Sequence, residues 1–270
     1  MPALLISILL AVIFAPMGNH IATKETKNAS FKELFIAFKN NRLMIFFVIA
    51  TIISLIGLSV FMGVAFIAMD SYLKIGDKLP FFIATVTIVQ IISIPFWEKI
   101  IERFGKHQVV SMAWIMQGLI YPLIFFLNPG PNVFYPFLAL GALASIFQTP
   151  GPIATTAILG DIIDYDILKT GTNSAGTYFS IYSLIMKGGG AIGGSLGLYL
   201  LAAFNYNTKG GVNTEFAEFG LLFTMTIVPA VLLIMSGIMI WFFPLNARRH
   251  AIVKKRIETL SQRRTKEFHP

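Results

Sequence analysis

The feature that most constrains this chain is a series of seven long apolar runs. They are Ala3–Met17, Leu43–Met69, Leu79–Trp97, Gln108–Leu127, Asn132–Leu159, Ala175–Phe204 and Phe216–Leu245. Most of them reach the ~20 residues that a helix needs to cross the ~30 Å hydrocarbon core of a bilayer. Strands of a membrane barrel alternate apolar and polar residues over about ten positions, and these runs are continuously apolar. An open sheet leaves backbone groups unsatisfied in lipid, so each run reads as a helix. Composition agrees. Apolar residues make up 56% of the 270 and charged residues only 13%. A soluble domain is usually about 25% charged, and one core of this size cannot hide that much apolar surface. The expected fold is therefore an all-α membrane protein with about seven transmembrane helices.

The first run is short and preceded only by Met1-Pro2, with no side-chain charge and no clean small-x-small site after it. It reads as the tail of a longer helix rather than as a signal peptide. The expected organisation is a helix over residues 1–18, a linker over 19–42, a six-helix bundle over 43–245 and a basic tail over 246–270. In the linker, Phe31, Leu34, Phe35 and Phe38 recur at helical spacing, and Ser30 with Glu33 fits a capping box. That segment is expected to be an amphipathic helix lying on the membrane surface.

Charge orients the chain. Seventeen of the 21 Lys and Arg residues fall in segments 20–42, 98–107 and 160–174 and in the tail, all on one side of the alternating connections. The opposite connections hold only Lys74, Lys78 and Lys209, and Lys187 lies within a run. The positive-inside rule then places the N-terminus outside and the C-terminus in the cytoplasm. A basic tail also suits anionic lipid. No nucleic-acid motif accompanies it, so nucleic acid is not an expected partner. Cysteine is absent. His20, His107, His250 and His269 all fall in expected loops or tails. No metal site or cofactor is expected, and no nucleophile and base are set up for an enzyme.

Lys187 is the leading functional candidate, because a charge near the middle of a span costs ~2.5–3.5 kcal/mol on insertion scales and usually faces a bundle interior or water. The alternatives are snorkelling to the interface or a structural ion pair. Ser180, Ser183 and Lys187 share a helical face, with Tyr182 beside it. Hydroxyls, a phenol and an ammonium together suit a polyhydroxylated or anionic solute. Gln90, Gln117 and Gln148 lie within spans and either line a polar cavity or bond neighbouring helices. Gln148 precedes Thr149-Pro150-Gly151-Pro152, whose prolines kink the helix. Gly189, Gly190, Gly193 and Gly194 have the spacing that lets helices approach closely. Asp161, Asp164 and Asp166 cluster at the end of the fifth run. They read either as a solvated loop or as a gate that pairs with Lys169 or a basic loop in one conformation.

Several of these residues form a pattern. Asp161-Ile-Ile-Asp164-Tyr165-Asp166, Lys169-Thr-Gly171, Gly176, Phe179-Ser180 and Lys187-Gly-Gly resemble the signature of the glycoside–pentoside–hexuronide:cation symporters. These form the melibiose-carrier branch of the major facilitator superfamily. Glu102-Arg103-Phe104-Gly105-Lys106 resembles the short basic loop of that superfamily. The resemblance covers the second half of such a transporter. It implies that the runs are helices six to twelve, the last six forming a major-facilitator-type C-terminal bundle, in a bacterial inner membrane. It also implies that Lys187, with Tyr182 and Ser183, faces a sugar. Gln148 joins them as a binding candidate, and Asp161, Asp164, Asp166, Lys169 and Arg103 as gating candidates. Thr172–Ala175 lacks the charge that members often carry there. The coupling ion, Na+ or H+, would bind in the N-terminal half of such a transporter, at a site expected to be absent from this chain. The same signature resembles the lysophospholipid carriers of animals, so the solute is not assured to be a sugar. The implied activity is cation-coupled symport by alternating access, with a separate N-terminal half or a second copy as partner. The alternative is a non-transporting remnant or assembly subunit.

Overall fold

A computed structural model describes residues 41–170, 175–208 and 212–244. The first apolar run, the amphipathic linker and the basic tail lie outside the described residues. Within them the protein is helical, with no strand. The helices are α1 (Arg42–Ile67), α2 (Leu79–Phe104), α3 (Lys106–Ile124), α4 (Phe134–Gln148), α5 (Pro150–Thr170), α6 (Ala175–Ala203) and α7 (Glu215–Trp241). A π-helical turn, Ala68–Tyr72, continues α1, and a short 3-10 turn, Gly76–Lys78, leads into α2. Because α4 and α5 meet at Thr149 and continue one another, the described residues form six rods. Five of these are long and apolar enough to cross a membrane. The sixth, α3, has 19 residues, which gives it a length of ~28 Å.

Two helix ends differ from the sequence expectation. Segments 98–107 and 160–174 were expected as basic and acidic connections. Instead α2 runs on through Glu98, Lys99, Glu102 and Arg103, and α5 runs on through the acidic cluster to Thr170. Charge marks where a helix leaves lipid, but it does not end the helix. The backbone at Gly105 does: it has φ +92° and ψ 148°, a region almost closed to residues with a Cβ. This one glycine turns α2 into α3. His107 consequently lies in the first turn of α3 and is buried, not in a loop.

Helix α7 packs between α1 and α3. Lipid offers no hydrophobic drive for helices to associate, so close approach and interhelical hydrogen bonds must do the work. Ser236 donates to the Ala50 carbonyl of α1 at 2.7 Å, and Ser111 of α3 donates to the Gly237 carbonyl of α7. Gly57 lies against Pro229 and Leu232, and Gly118 against Ala230 and Ile234. On the other side of α1 lies α6. Its Gly189, Gly193 and Gly197 recur every four residues and meet Leu55, Ile56 with Ser59, and Val60 with Val64. Gly194 backs onto Gly63 of α1, while Gly190 comes no nearer than Ser59.

Helix α2 is the least covered: Trp97 is its one buried residue. Phe81, Ile83, Ile88, Ile91, Ile92 and Phe96 all face outward, the pattern of a helix solvated by lipid. It is held to α4 by the Phe82–Phe137 ring pair at 5.1 Å and by polar contacts near Thr149.

Adjacent glycines of α6 therefore meet different surroundings. A Cβ on Gly193 would stand 2.7 Å from the Ile56 carbonyl oxygen, whereas one on Gly194 would have no neighbour within 4 Å. Gly193→Ala is expected to destabilise the bundle by about 1–3 kcal/mol through overpacking. Gly194→Ala should be neutral or slightly stabilising, since Ala is the better helix former. Melting temperatures of the two variants in detergent check this.

Candidate functional site

Lys187 lies near the middle of the 29-residue α6 and is exposed. It lines an open groove with Phe179, Ser180, Ser183 and Leu184. Ser180 spends its proton on the Gly176 carbonyl at 2.8 Å. Lys187 makes no ion pair or hydrogen bond with any described residue. The groove thus presents one ammonium and two hydroxyls on an otherwise apolar helix.

One step round α6, at Tyr182 and Met186, begins a separate cavity of about 90 Å³. Its wall takes in Thr51, Ser54, Leu55 and Leu58 of α1, Trp114 and Gln117 of α3, and Leu233 of α7. Gln148, Gly151, Pro152 and Thr155 from the α4–α5 junction complete it. The binding candidates are thereby divided: Tyr182 and Gln148 line the cavity, while Ser183 and Lys187 line the groove. The two are adjacent, because residues 182 and 186 alternate along α6 with residues 183 and 187 about 100° round the helix.

The polar atoms of the cavity are partly committed. The Tyr182 hydroxyl and Thr155 Oγ1 hydrogen-bond each other at 3.1 Å. Thr51 and Ser54 donate to the Phe47 and Thr51 carbonyls of their own helix. Gln117 donates to the Tyr121 hydroxyl at 2.9 Å. Gln148 accepts from Gln90 Nε2 at 3.1 Å, so Gln90 serves as a bond between helices and is not part of the wall. Trp114, Thr51, Ser54 and Thr155 were not singled out in the sequence. A tryptophan in an apolar run reads as core or as interface, and hydroxyls read as helix glue. The available signal was the three-residue spacing of Thr51 and Ser54 and the placement of Thr155 one turn after the Pro-Gly-Pro break.

The acidic residues of α5 fall into two contacts. Asp161 forms an ion pair with Lys106 at 2.6 Å, and Lys106 also donates to the Ala157 carbonyl at 3.4 Å. The partner from the basic turn is thus Lys106, which the gating candidates did not include. Arg103, which they did include, is exposed and lies over the Phe104 ring at 5.3 Å. Asp166 hydrogen-bonds the buried Tyr178 hydroxyl and lies within electrostatic reach of Lys169. Tyr178 in turn accepts from Asn41 Nδ2 at 3.1 Å, and Asn41 Oδ1 caps α1 at the Met44 amide. Asp164 is half-buried between these two contacts. The ends of α1, α3, α5 and α6 are therefore joined by side chains of the acidic motif. Among the described residues no group of three or more His, Asp or Glu is placed to hold a metal ion.

The Lys106–Asp161 pair is half-shielded, with side-chain exposures of 33% and 17%. A double-mutant cycle of Lys106→Ala and Asp161→Ala, read by thermal or denaturant stability, is expected to give a coupling energy of about 0.5–1 kcal/mol. A coupling near zero would make the contact incidental.

Comparison with known proteins gives a consistent result. Residues 2–247 match a family described as MFS/sugar transport protein. The uncharacterised symporter YnaJ of Bacillus subtilis is 25% identical over 239 residues, covering 87% of this chain and 50% of that protein. A glucuronide carrier protein homolog of Escherichia coli is 27% identical, covering 58% of this chain and 34% of its own length. The human sodium-dependent lysophosphatidylcholine symporter 1 is 27% identical, covering 63% and 31%. The chain spans about a third to a half of the length of these curated relatives.

Proposed function

We propose, starting from the fact that the chain belongs to the MFS/sugar transport protein family, that it acts as the C-terminal half of a cation-coupled symporter for a sugar or glycoside. Its six described rods would form one of two bundles that rock about a site near the bilayer midplane. The observation that carries this reading is Lys187. A charge exposed at mid-helix costs several kcal/mol in lipid, and it has no described partner. The groove it lines therefore has to face water, a solute or a second bundle.

The chemistry of the groove favours a solute with an acidic group. Glucuronides carry a carboxylate and lysophosphatidylcholine a phosphate, and two relatives are named for these compounds. Lys187 would bind the acid, with Ser183 beside it and with Tyr182 and Gln148 reaching the solute from the adjoining cavity. The contacts Asp161–Lys106 and Asp166–Tyr178–Asn41 would hold the cytoplasmic ends of the helices together in one state and release them in the other. The charge distribution supports that orientation, with the acidic motif and the tail inside.

Uptake of a radiolabelled glucuronide by cells expressing the complete transporter tests the assignment. Lys187→Ala is expected to lower uptake at least about tenfold, as for loss of a charged hydrogen bond, and Lys187→Arg to restore part of it. Uptake unchanged in Lys187→Ala, with the protein present in the membrane, would remove Lys187 from the site.

A further inference from the structure

The cavity beside the groove has one feature that the transport reading leaves unused. Trp114 is 94% buried, being only 6% exposed, yet its indole N–H bonds to no described residue. Its nitrogen lies against Gly151, where an added Cβ would stand 3.3 Å away with no other neighbour inside 4 Å. The nitrogen is not sealed off, since among the described residues Thr224 Oγ1 is the one buried side-chain polar atom without a partner. Trp114 lines the cavity, where an acceptor oxygen would replace the hydrogen bond that the N–H makes to water. Here the space in front of the donor is open because residue 151 has no side chain.

Two carboxamides stand in the same wall with capacity left over. Gln148 uses its oxygen on Gln90 and keeps its amino group. Gln117 uses one N–H on Tyr121 and keeps its oxygen and the second N–H. No charged residue lines the cavity. Its volume of about 90 Å³ is small beside the ~300–1,000 Å³ of pockets that bury a whole ligand, so it suits one end of a solute.

We propose that the Trp114 indole N–H, with the Gln148 and Gln117 carboxamides, forms a subsite for the uncharged, hydroxyl-bearing end of the solute. This rests on the transport reading and extends it: the solute is bipartite. Its acidic end pairs with Lys187 in the groove, and a neutral hydroxylated end enters the cavity across the rim formed by Tyr182 and Met186. Trp114 is then a specificity-determining residue, selecting a solute that offers an acceptor oxygen at that depth.

The test is equilibrium binding of methyl β-glucuronide, its neutral counterpart methyl β-glucoside, and the monodeoxy glucosides to the complete purified transporter. Three variants are compared: Trp114→Phe, which keeps the ring and removes the N–H; Gly151→Ala, which keeps Trp114 and puts a methyl in front of its nitrogen; and Lys187→Ala. Each must elute as a single species with an unchanged melting temperature, and Gly151→Ala carries the test if Trp114→Phe does not fold. Trp114→Phe and Gly151→Ala are each expected to weaken both glycosides about tenfold. Lys187→Ala should weaken the glucuronide alone. One deoxy glucoside, lacking the hydroxyl that meets Trp114, should bind wild type and Trp114→Phe equally.

If Lys187→Ala weakens the glucuronide while Trp114→Phe and Gly151→Ala leave both glycosides within twofold, the subsite is wrong and the transport reading stands. If every deoxy glucoside loses the same factor in Trp114→Phe, Trp114 supports the wall without touching solute, and the subsite is again overturned. If no glycoside binds wild type, the sugar-transport reading fails and takes the subsite with it.

Discussion

A carbonyl in lipid has no water to turn to, so every peptide group that loses its helical partner must find another. Pro150 and Pro152 each remove a donor at one place. The carbonyl that Pro150 leaves open is that of Ile146, four residues earlier. It accepts from the Trp97 indole of α2 at 2.8 Å and, in a tighter turn, from the Thr149 amide at 3.3 Å. The neighbouring contacts follow the same line. Gln90 bonds Gln148, and Ser93 bonds Thr149 at 2.8 Å. Gln90, Ser93 and Trp97 are spaced three and four residues apart, so they form one stripe down α2. The helix with the most lipid-like exterior is thereby attached through its most polar face, at the break in its neighbour.

That junction also supplies part of the cavity wall: Gln148, Gly151, Pro152 and Thr155 line it opposite α1 and α3, and Gly151 brings no side chain. The surrounding walls differ in character. On one side α1, α3 and α7 are joined by glycine contacts and by serine-to-carbonyl bonds, which fix backbone to backbone. On the other, α5 reaches α6 through the Thr155–Tyr182 and Asp166–Tyr178 hydrogen bonds, contacts made between side-chain ends. Side-chain contacts can be exchanged without unfolding a helix, whereas backbone apposition cannot. A fixed wall facing an adjustable one is the arrangement a binding site needs if it is to open to alternate sides.

Much of the architecture was legible because lipid imposes a single rule on length and polarity. Six of the seven apolar runs fall on the described rods, and the Pro-Gly-Pro break lies within its run as expected. Helix ends were less legible, because charge density tracks the membrane boundary and not the backbone: α2 and α5 continue past it until Gly105 in one case and Thr170 in the other. Pairings across helices were least legible. Nothing in the sequence alone distinguishes Lys106 from Arg103 or Lys169 as the partner of Asp161, since that choice depends on how α3 is rotated against α5. For the same reason the spacing of the α6 glycines did not tell that Gly189, Gly193 and Gly197 form the tight series while Gly190 stands looser. Trp114 was not singled out because a tryptophan in an apolar run reads as core, and only its place in the cavity wall sets it apart.

The outward faces of α2 and α6 place different demands on what surrounds them. On α2 the exposed residues from Phe81 to Phe96 are large and apolar along the helix, and lipid chains satisfy them. On α6 the exposed face changes character along its length. Ile192, Leu198 and Tyr199 occupy one end, while the other mixes Ser180, Ser183 and Lys187 with Phe179, Leu184 and Met186. Lipid would suit the first stretch and would penalise the second by the cost of an unpaired ammonium. Snorkelling offers little relief, because Lys187 lies roughly 18 Å from the start of α6 at 1.5 Å per residue, about three times the reach of its own side chain. The Lys187 ammonium therefore needs water or a polar partner on a helix whose other exposed residues are largely apolar. Under the proposed two-bundle reading, a second bundle would enclose a water-filled site against Ser183 and Lys187 and would pack apolar residues against Ile192 and Leu198.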